Sequence, residues 1–161
     1  MTTDLIKIPF SFRNDLDIPK IPQDVDPESI REQLYTAGIE YLELVGVPGG
    51  DKVLFVEDDA EFLMDFYYQL EEILDTDEFL EHIAYLNGTD FIISAHRADS
   101  QLRVVITQQP HSDLRFLSTT EVEVSLSQYV NAWRRLAHAL VAAAGKTSAV
   151  KPESQGETPA D

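Results

Sequence analysis

The chain has 161 residues, enough for one domain with its own core, and 43% of them are hydrophobic, which argues against intrinsic disorder. Twenty-nine acids stand against 12 Lys and Arg, and the resulting charge of −17 opposes bare nucleic acid or an anionic membrane as partner. With no cysteine, disulfides and thiolate zinc sites are excluded, and the reducing cytoplasm is the compartment that fits.

The opening MTTDLIKIPF has no long apolar segment of the signal-peptide kind. No run of about 18 apolar residues occurs anywhere, so no membrane span is expected. LIKIPFSF (5–12) partly alternates and suits an edge strand, because Pro9 cannot donate into the middle of a sheet. RNDLDIPKIPQDVDP is punctuated by proline, and residues 1–26 are read as a strand followed by an arm. Asp26 as N-cap, Pro27 in the first turn and Gly38 as the stop predict a helix over 27–37 that buries Ile30, Leu34 and Ala37. IEYLELVGV and KVLFVE, joined by PGGD, predict an antiparallel hairpin.

Asp58 and Glu61 have capping-box spacing and predict a second helix to about Asp75. Its apolar stripe is Phe62, Leu63, Phe66, Leu70, Ile73 and Leu74. Thr76 then caps a helical continuation, DEFLEHIAYL, ending at Asn87-Gly88. FIISAH and LRVVITQ predict a second hairpin, and TTEVEVS a strand with Val122 and Val124 on one face, Glu121 and Glu123 on the other. Ser125 and Gln128 form another capping box. The helix it opens, 126–144, carries Leu126, Val130, Trp133, Ala137, Leu140 and Ala144 on one face, with Arg134, Arg135 and His138 mostly off it. Residues 146–161 read as a disordered acidic tail. The class is α+β: a single domain over 27–145 with an antiparallel five- to six-stranded sheet and helices mainly on one face.

Glu57, Asp58 and Asp59 follow directly on an apolar strand. VLFVEDD resembles the start of a bacterial receiver domain, whose paired acids hold Mg²⁺. A receiver also needs an Asp ending a later strand and a distant Lys. DFIISAH offers Ser94 and His96 instead, and no Lys lies between Lys52 and Lys146. A carboxylate metal site is disfavoured as well, because Glu61, Asp65, Glu72 and Asp75 spread along a helix rather than converge. Acids in a first helical turn offset the macrodipole, which explains the trio without chemistry.

That account does not cover the density further on. Residues 51–82 hold twelve acids and one base, Lys52, whereas 91–145 hold four acids and five Arg. Like charges four apart cost a helix about 0.2–0.5 kcal/mol each. A helix that carries this load together with Tyr67 and Tyr68 has the composition of a surface for a basic partner. The candidate protein-binding residues are therefore Glu61, Asp65, Tyr67, Tyr68, Glu71, Glu72 and Asp75. No catalytic residue, metal ligand or cofactor is assigned. His82, His96, His111 and His138 fit no metalloprotease spacing, and His82 reads as a helix-surface residue.

The succession helix–Gly–hairpin (IREQLYTAGIEYLELVGVPGGDKVLFVE), helix and two strands (DEFLEHIAYLNGTDFIISAHRADSQLRVVIT), then strand and closing helix (EVEVSLSQYVNAWRRLAHAL) resembles the YbjN and type III secretion chaperone-like group. The resemblance implies a small bacterial, non-enzymatic module in which a homodimer holds an extended, partly unfolded client through apolar grooves and strand addition. The alternative is an immunity protein or nucleic-acid mimic that inhibits a basic toxin or nuclease. Four helical residues advance about 6 Å, close to phosphate spacing.

Overall fold

Seven strands and three helices succeed one another among residues 5–13, 17–76, 78–86, 91–108 and 118–154, which the computed structural model describes, with side chains described through Gly145. Asn87, Gly88, His111 and residues 155–161 of the expected tail lie outside them. Strand β1 (Leu5–Pro9) leads through the arm to helix α1 (Pro27–Thr36), then β2 (Tyr41–Val45) and β3 (Lys52–Phe55). A π-helical turn, Val56–Ala60, runs into α2 (Glu61–Asp75). Then come β4 (Glu81–Leu86), β5 (Phe91–Ala98), β6 (Gln101–Gln108), β7 (Ser118–Val124) and α3 (Leu126–Ser154).

The class is α+β, but the strands divide into two sheets. The first has the order β1-β2-β3 and the second β4-β5-β6-β7. The expected single sheet of five to six antiparallel strands is thus replaced by a three-stranded sheet and a four-stranded antiparallel meander. One pair is parallel: β1 lies beside β2 with Leu5 opposite Tyr41. Parallel neighbours need a long crossover, and here the arm and α1 supply it. The β2–β3 hairpin and the β5–β6–β7 meander form as expected.

The larger correction concerns the helix expected over DEFLEHIAYL, whose residues Glu81–Leu86 form strand β4 instead. Helix α2 ends at Thr76, whose hydroxyl donates to the Ile73 carbonyl (2.7 Å). Residues 81–86 then alternate, with His82, Ala84 and Leu86 buried and Glu81, Ile83 and Tyr85 exposed, and they pair with β5. Burial of one face at period two outweighs the helix propensity of Glu, Leu and Ala.

Local signals otherwise act as expected. Gly38, at φ 90°, ends α1: its N–H donates to the Tyr35 carbonyl and that of Ile39 to Leu34, each at 3.0 Å, in a Schellman arrangement. The capping box of α3 is reciprocal: Ser125 N–H donates to Gln128 Oε1 (2.8 Å), and Gln128 N–H to Ser125 Oγ (3.0 Å). No side-chain cap forms at Asp58. Instead the chain takes a π-helical turn, and Asp59 Oδ2 accepts the Phe55 N–H at 3.2 Å.

The core is one cluster spanning both sheets and all three helices. Trp133 is at its centre, with the Phe10 ring edge-on at 5.2 Å. The buried face of α3 is wider than one stripe, because Tyr129, Ala132 and Leu136 are also buried. The β2–β3 loop closes onto the second sheet: Gln108 Nε2 donates to the Gly50 carbonyl (3.0 Å), and Gly49 leaves no room for a Cβ beside Thr120.

Candidate functional site

The seven sequence-predicted residues all lie on or next to α2, but they do different work. Tyr67 is fully buried, and its hydroxyl accepts the Ile21 N–H (2.8 Å). The half-buried Tyr68 donates its hydroxyl toward the carbonyls of Pro22 (2.8 Å) and Val25 (2.9 Å). Glu71 is buried and takes a bidentate pair from Arg134, Nε at 2.8 Å and Nη2 at 3.0 Å. Burial works against its charge, but Arg134, Tyr67 and Lys20 outweigh it and hold the carboxyl below the usual carboxylate range.

These three residues, with α3, hold the chain's own arm. Asn131 Oδ1 accepts the Ile18 N–H (2.9 Å), Arg134 Nη1 donates to the Ile18 carbonyl (3.0 Å) and His138 Nε2 to that of Pro19 (2.7 Å). Arg135 reaches the Ser11 carbonyl at 3.2 Å. So Tyr67 and Glu71 face the interior and not an open surface. Arg134, Arg135 and His138, off the predicted stripe of α3, are arm anchors.

The other four carboxylates point elsewhere. Glu61 pairs with Arg31 at 3.5 Å, and Arg31 also meets Glu28 and Glu32. Asp75 is exposed at the end of α2. Asp65 and Glu72 line a seam between α2 and the edge strand β4. Two shallow depressions of about 430 and 480 Å³ share Gln69 and Glu72 along it. Phe62, Asp65, Phe66, Tyr68 and Tyr85 wall one end, and Ile73, Thr76, Glu78, Leu80 and Glu81 the other. Among the described residues, no Lys or Arg lines either depression.

The apolar side chains around the seam are unusually open: Leu80 is 64% exposed, Tyr85 53%, and Phe62 and Ile83 40% each. Ile92, opposite Tyr85 across β4 and β5, continues the patch on the outer sheet face. Of these, only Phe62 stands out in the sequence, and there as core. Leu80, Ile83 and Tyr85 are hidden by the helical reading of 77–86. The period-two burial of 81–86 is the signal that finds Ile83 and Tyr85.

The acidic trio after β3 divides by burial. Glu57 and Asp58 are exposed, and Asp59 is fully buried with Oδ1 unpartnered. Burial, reinforced by Asp58, pushes the Asp59 carboxyl up to about 6 against the Phe55 hydrogen bond and Lys52. Among the described residues, no three His, Asp or Glu side chains come together as metal ligands. His82, expected on a helix surface, is instead buried between α2, α3 and β4. Its Nε2 donates to the Phe66 carbonyl (2.9 Å), which leaves Nδ1 to accept from the Tyr129 hydroxyl (2.7 Å). Burial lowers its pKa to about 4. Among the described residues, no helix is long and apolar enough to cross a membrane.

No family model, curated protein or solved structure matches this chain.

Proposed function

We propose that this chain is a non-enzymatic, chaperone-like protein-binding module that holds an extended, basic segment of a partner protein along the seam between α2 and β4. The single observation carrying this reading is that seam. Exposed apolar side chains (Phe62, Leu80 and Tyr85, with Ile83 exposed on the same strand) lie beside Asp65, Glu72, Glu78 and Glu81; among the described residues no Lys or Arg lines it, and β4 pairs on one side only. Exposed contiguous apolar surface rimmed by charge favours association over solubility. An edge strand adds main-chain hydrogen bonds to whatever lies along it. The −17 charge keeps such a surface from sticking to copies of itself.

The likeness to YbjN and type III secretion chaperone-like proteins rests on an element order in which 77–86 is helical, and since Glu81–Leu86 is a strand that likeness adds nothing to this reading. A nucleic-acid mimic draws less support from the geometry. Its row of carboxylates would begin at Glu61, which already pairs with Arg31.

The test is fluorescence anisotropy with two labelled peptides, one alternating Val with Lys and one alternating Val with Glu. The Lys peptide binds at least about ten-fold tighter, and Ile83→Lys, which introduces a positive charge on the exposed face of β4 beside the seam, abolishes the difference. Raising the salt weakens binding only modestly, because apolar contact supplies part of it. Equal binding of both peptides, or binding indifferent to Ile83→Lys, refutes the reading.

A further inference from the structure

The Phe62–Tyr85 end of the seam differs from the rest in composition. Four aromatic rings, those of Phe62, Phe66, Tyr68 and Tyr85, line one open depression together with the carboxylates of Asp65 and Glu72. The Phe66 and Tyr85 rings lie 5.8 Å apart and inclined at 51°, so they form a corner, not a closed stack. Phe62 and Tyr85 are exposed. Aromatic faces carry negative quadrupole potential, and a cation above them gains energy that a neutral group of the same shape does not.

Charge around this corner points the same way. Asp24 and Asp26 act on Tyr68, and Asp26 acts on Asp65 as well. Partial burial, and then the charge of Asp26, raise the Asp65 carboxyl above its ordinary range. The neighbouring cations are engaged elsewhere: Arg31 by Glu28, Glu32 and Glu61, and Arg134 by Glu71. The corner therefore combines π faces with two carboxylates, and among the described residues no Lys or Arg lines it.

We infer that this corner is a cage for one cationic side chain, Lys or Arg, of the segment held in the seam, and that Phe62, Tyr85 and Asp65 set the specificity for it. The inference rests on the proposed seam reading and sharpens it. The seam supplies apolar contact and an edge, while the cage fixes the register by requiring a cation at one position. An alkylammonium or alkylguanidinium satisfies Asp65 at its head and the rings along its stem.

The test is an NMR titration of the full chain with n-butylammonium chloride, n-propylguanidinium chloride and neutral 1-butanol at matched ionic strength, reading the ring protons of Tyr85 and Phe62. Either or both cations produce saturable shifts, and which one binds more tightly tells Lys from Arg. Butanol does not. Tyr85→Ala and Asp65→Asn each weaken the cation by about three-fold or more, whereas Tyr35→Ala, an exposed tyrosine on α1, leaves it unchanged. Glu72→Gln gives an independent check should Asp65→Asn disturb α2. Absence of saturable shifts, or equal shifts with butanol, overturns the cage. The two readings fail separately. If the Val–Lys peptide binds but neither cation does, only the cage is lost. If the cations bind and the peptide does not, the cage stands and the seam reading goes.

Discussion

Acidification sets two buried groups of this protein against each other. Asp59 is raised from 3.8 to about 6, so its native state keeps a proton that the unfolded chain gives up. Its contribution to stability is fully present below 3.8 and is lost as pH rises through about 6. His82 is lowered from 6.5 to about 4, so its native state refuses a proton that the unfolded chain accepts. Its contribution is fully present above 6.5 and is lost as pH falls toward about 4. A pKa that differs by one between folded and unfolded chain is worth about 1.4 kcal/mol. Between about pH 7.5 and 4.5, linkage gives a gain of about 2 kcal/mol from Asp59 and a loss of about 2–3 kcal/mol from His82. The two nearly cancel. Asp59→Asn removes the first and His82→Gln the second. Urea unfolding at both pH values is the assay, because the change between them is free of any pH-independent packing cost. Relative to wild type, the Asn variant becomes more acid-sensitive by about 2 kcal/mol and the Gln variant less so by a similar amount. Variant curves parallel to wild type would mean that neither group titrates as its burial requires.

Other expected outcomes concern the arm and the helix ends. Tyr67→Phe removes the acceptor of the Ile21 N–H, costs about 1 kcal/mol and speeds exchange of that amide about five-fold, read by hydrogen–deuterium exchange. Glu71→Gln leaves Arg134 short of its counter-charge and lowers stability by about 2 kcal/mol, while Glu71→Leu with Arg134→Met recovers more than half of that in urea melts. Ser125→Ala breaks the reciprocal cap of α3 and costs about 1 kcal/mol by the same assay.

Much of the backbone is legible in the sequence because its signals are local. Gly38, the PGGD loop, the Ser125–Gln128 box and the alternation of TTEVEVS each specify their own geometry within a few residues. Three features are not. The parallel pairing of β1 with β2 depends on a crossover whose ends meet only in the folded chain. Residues 81–86 satisfy helix propensity while their burial follows period two, and the choice is made by β5, which the stretch itself does not contain. The buried face of α2 is rotated from the predicted stripe: Met64, Tyr67 and Glu71 are buried and Phe62 is exposed, because the arm and α3 cover the side that the stripe assigns to solvent. The candidate site follows from these limits. Asp65 and Glu72 are found through charge density alone. Tyr67 and Glu71 are grouped with them because a sequence cannot tell a carboxylate that meets Arg134 from one that meets water. Tyr85 and Ile83 are out of reach until β4 is known as a strand.

The grip on the arm has a consequence for what can change along it. Asn131, Arg134, His138, Tyr67 and Tyr68 all take hold of amide or carbonyl groups, which every residue possesses, rather than of side chains. Ile21 and Val25 pack on the core and must stay apolar, and neither Ile18 nor Ile21 can become proline, since each supplies an N–H that is used. Lys20, Gln23 and Asp24 are exposed, so this strap can be rewritten, labelled or lengthened at those places while its course over the two helices stays the same.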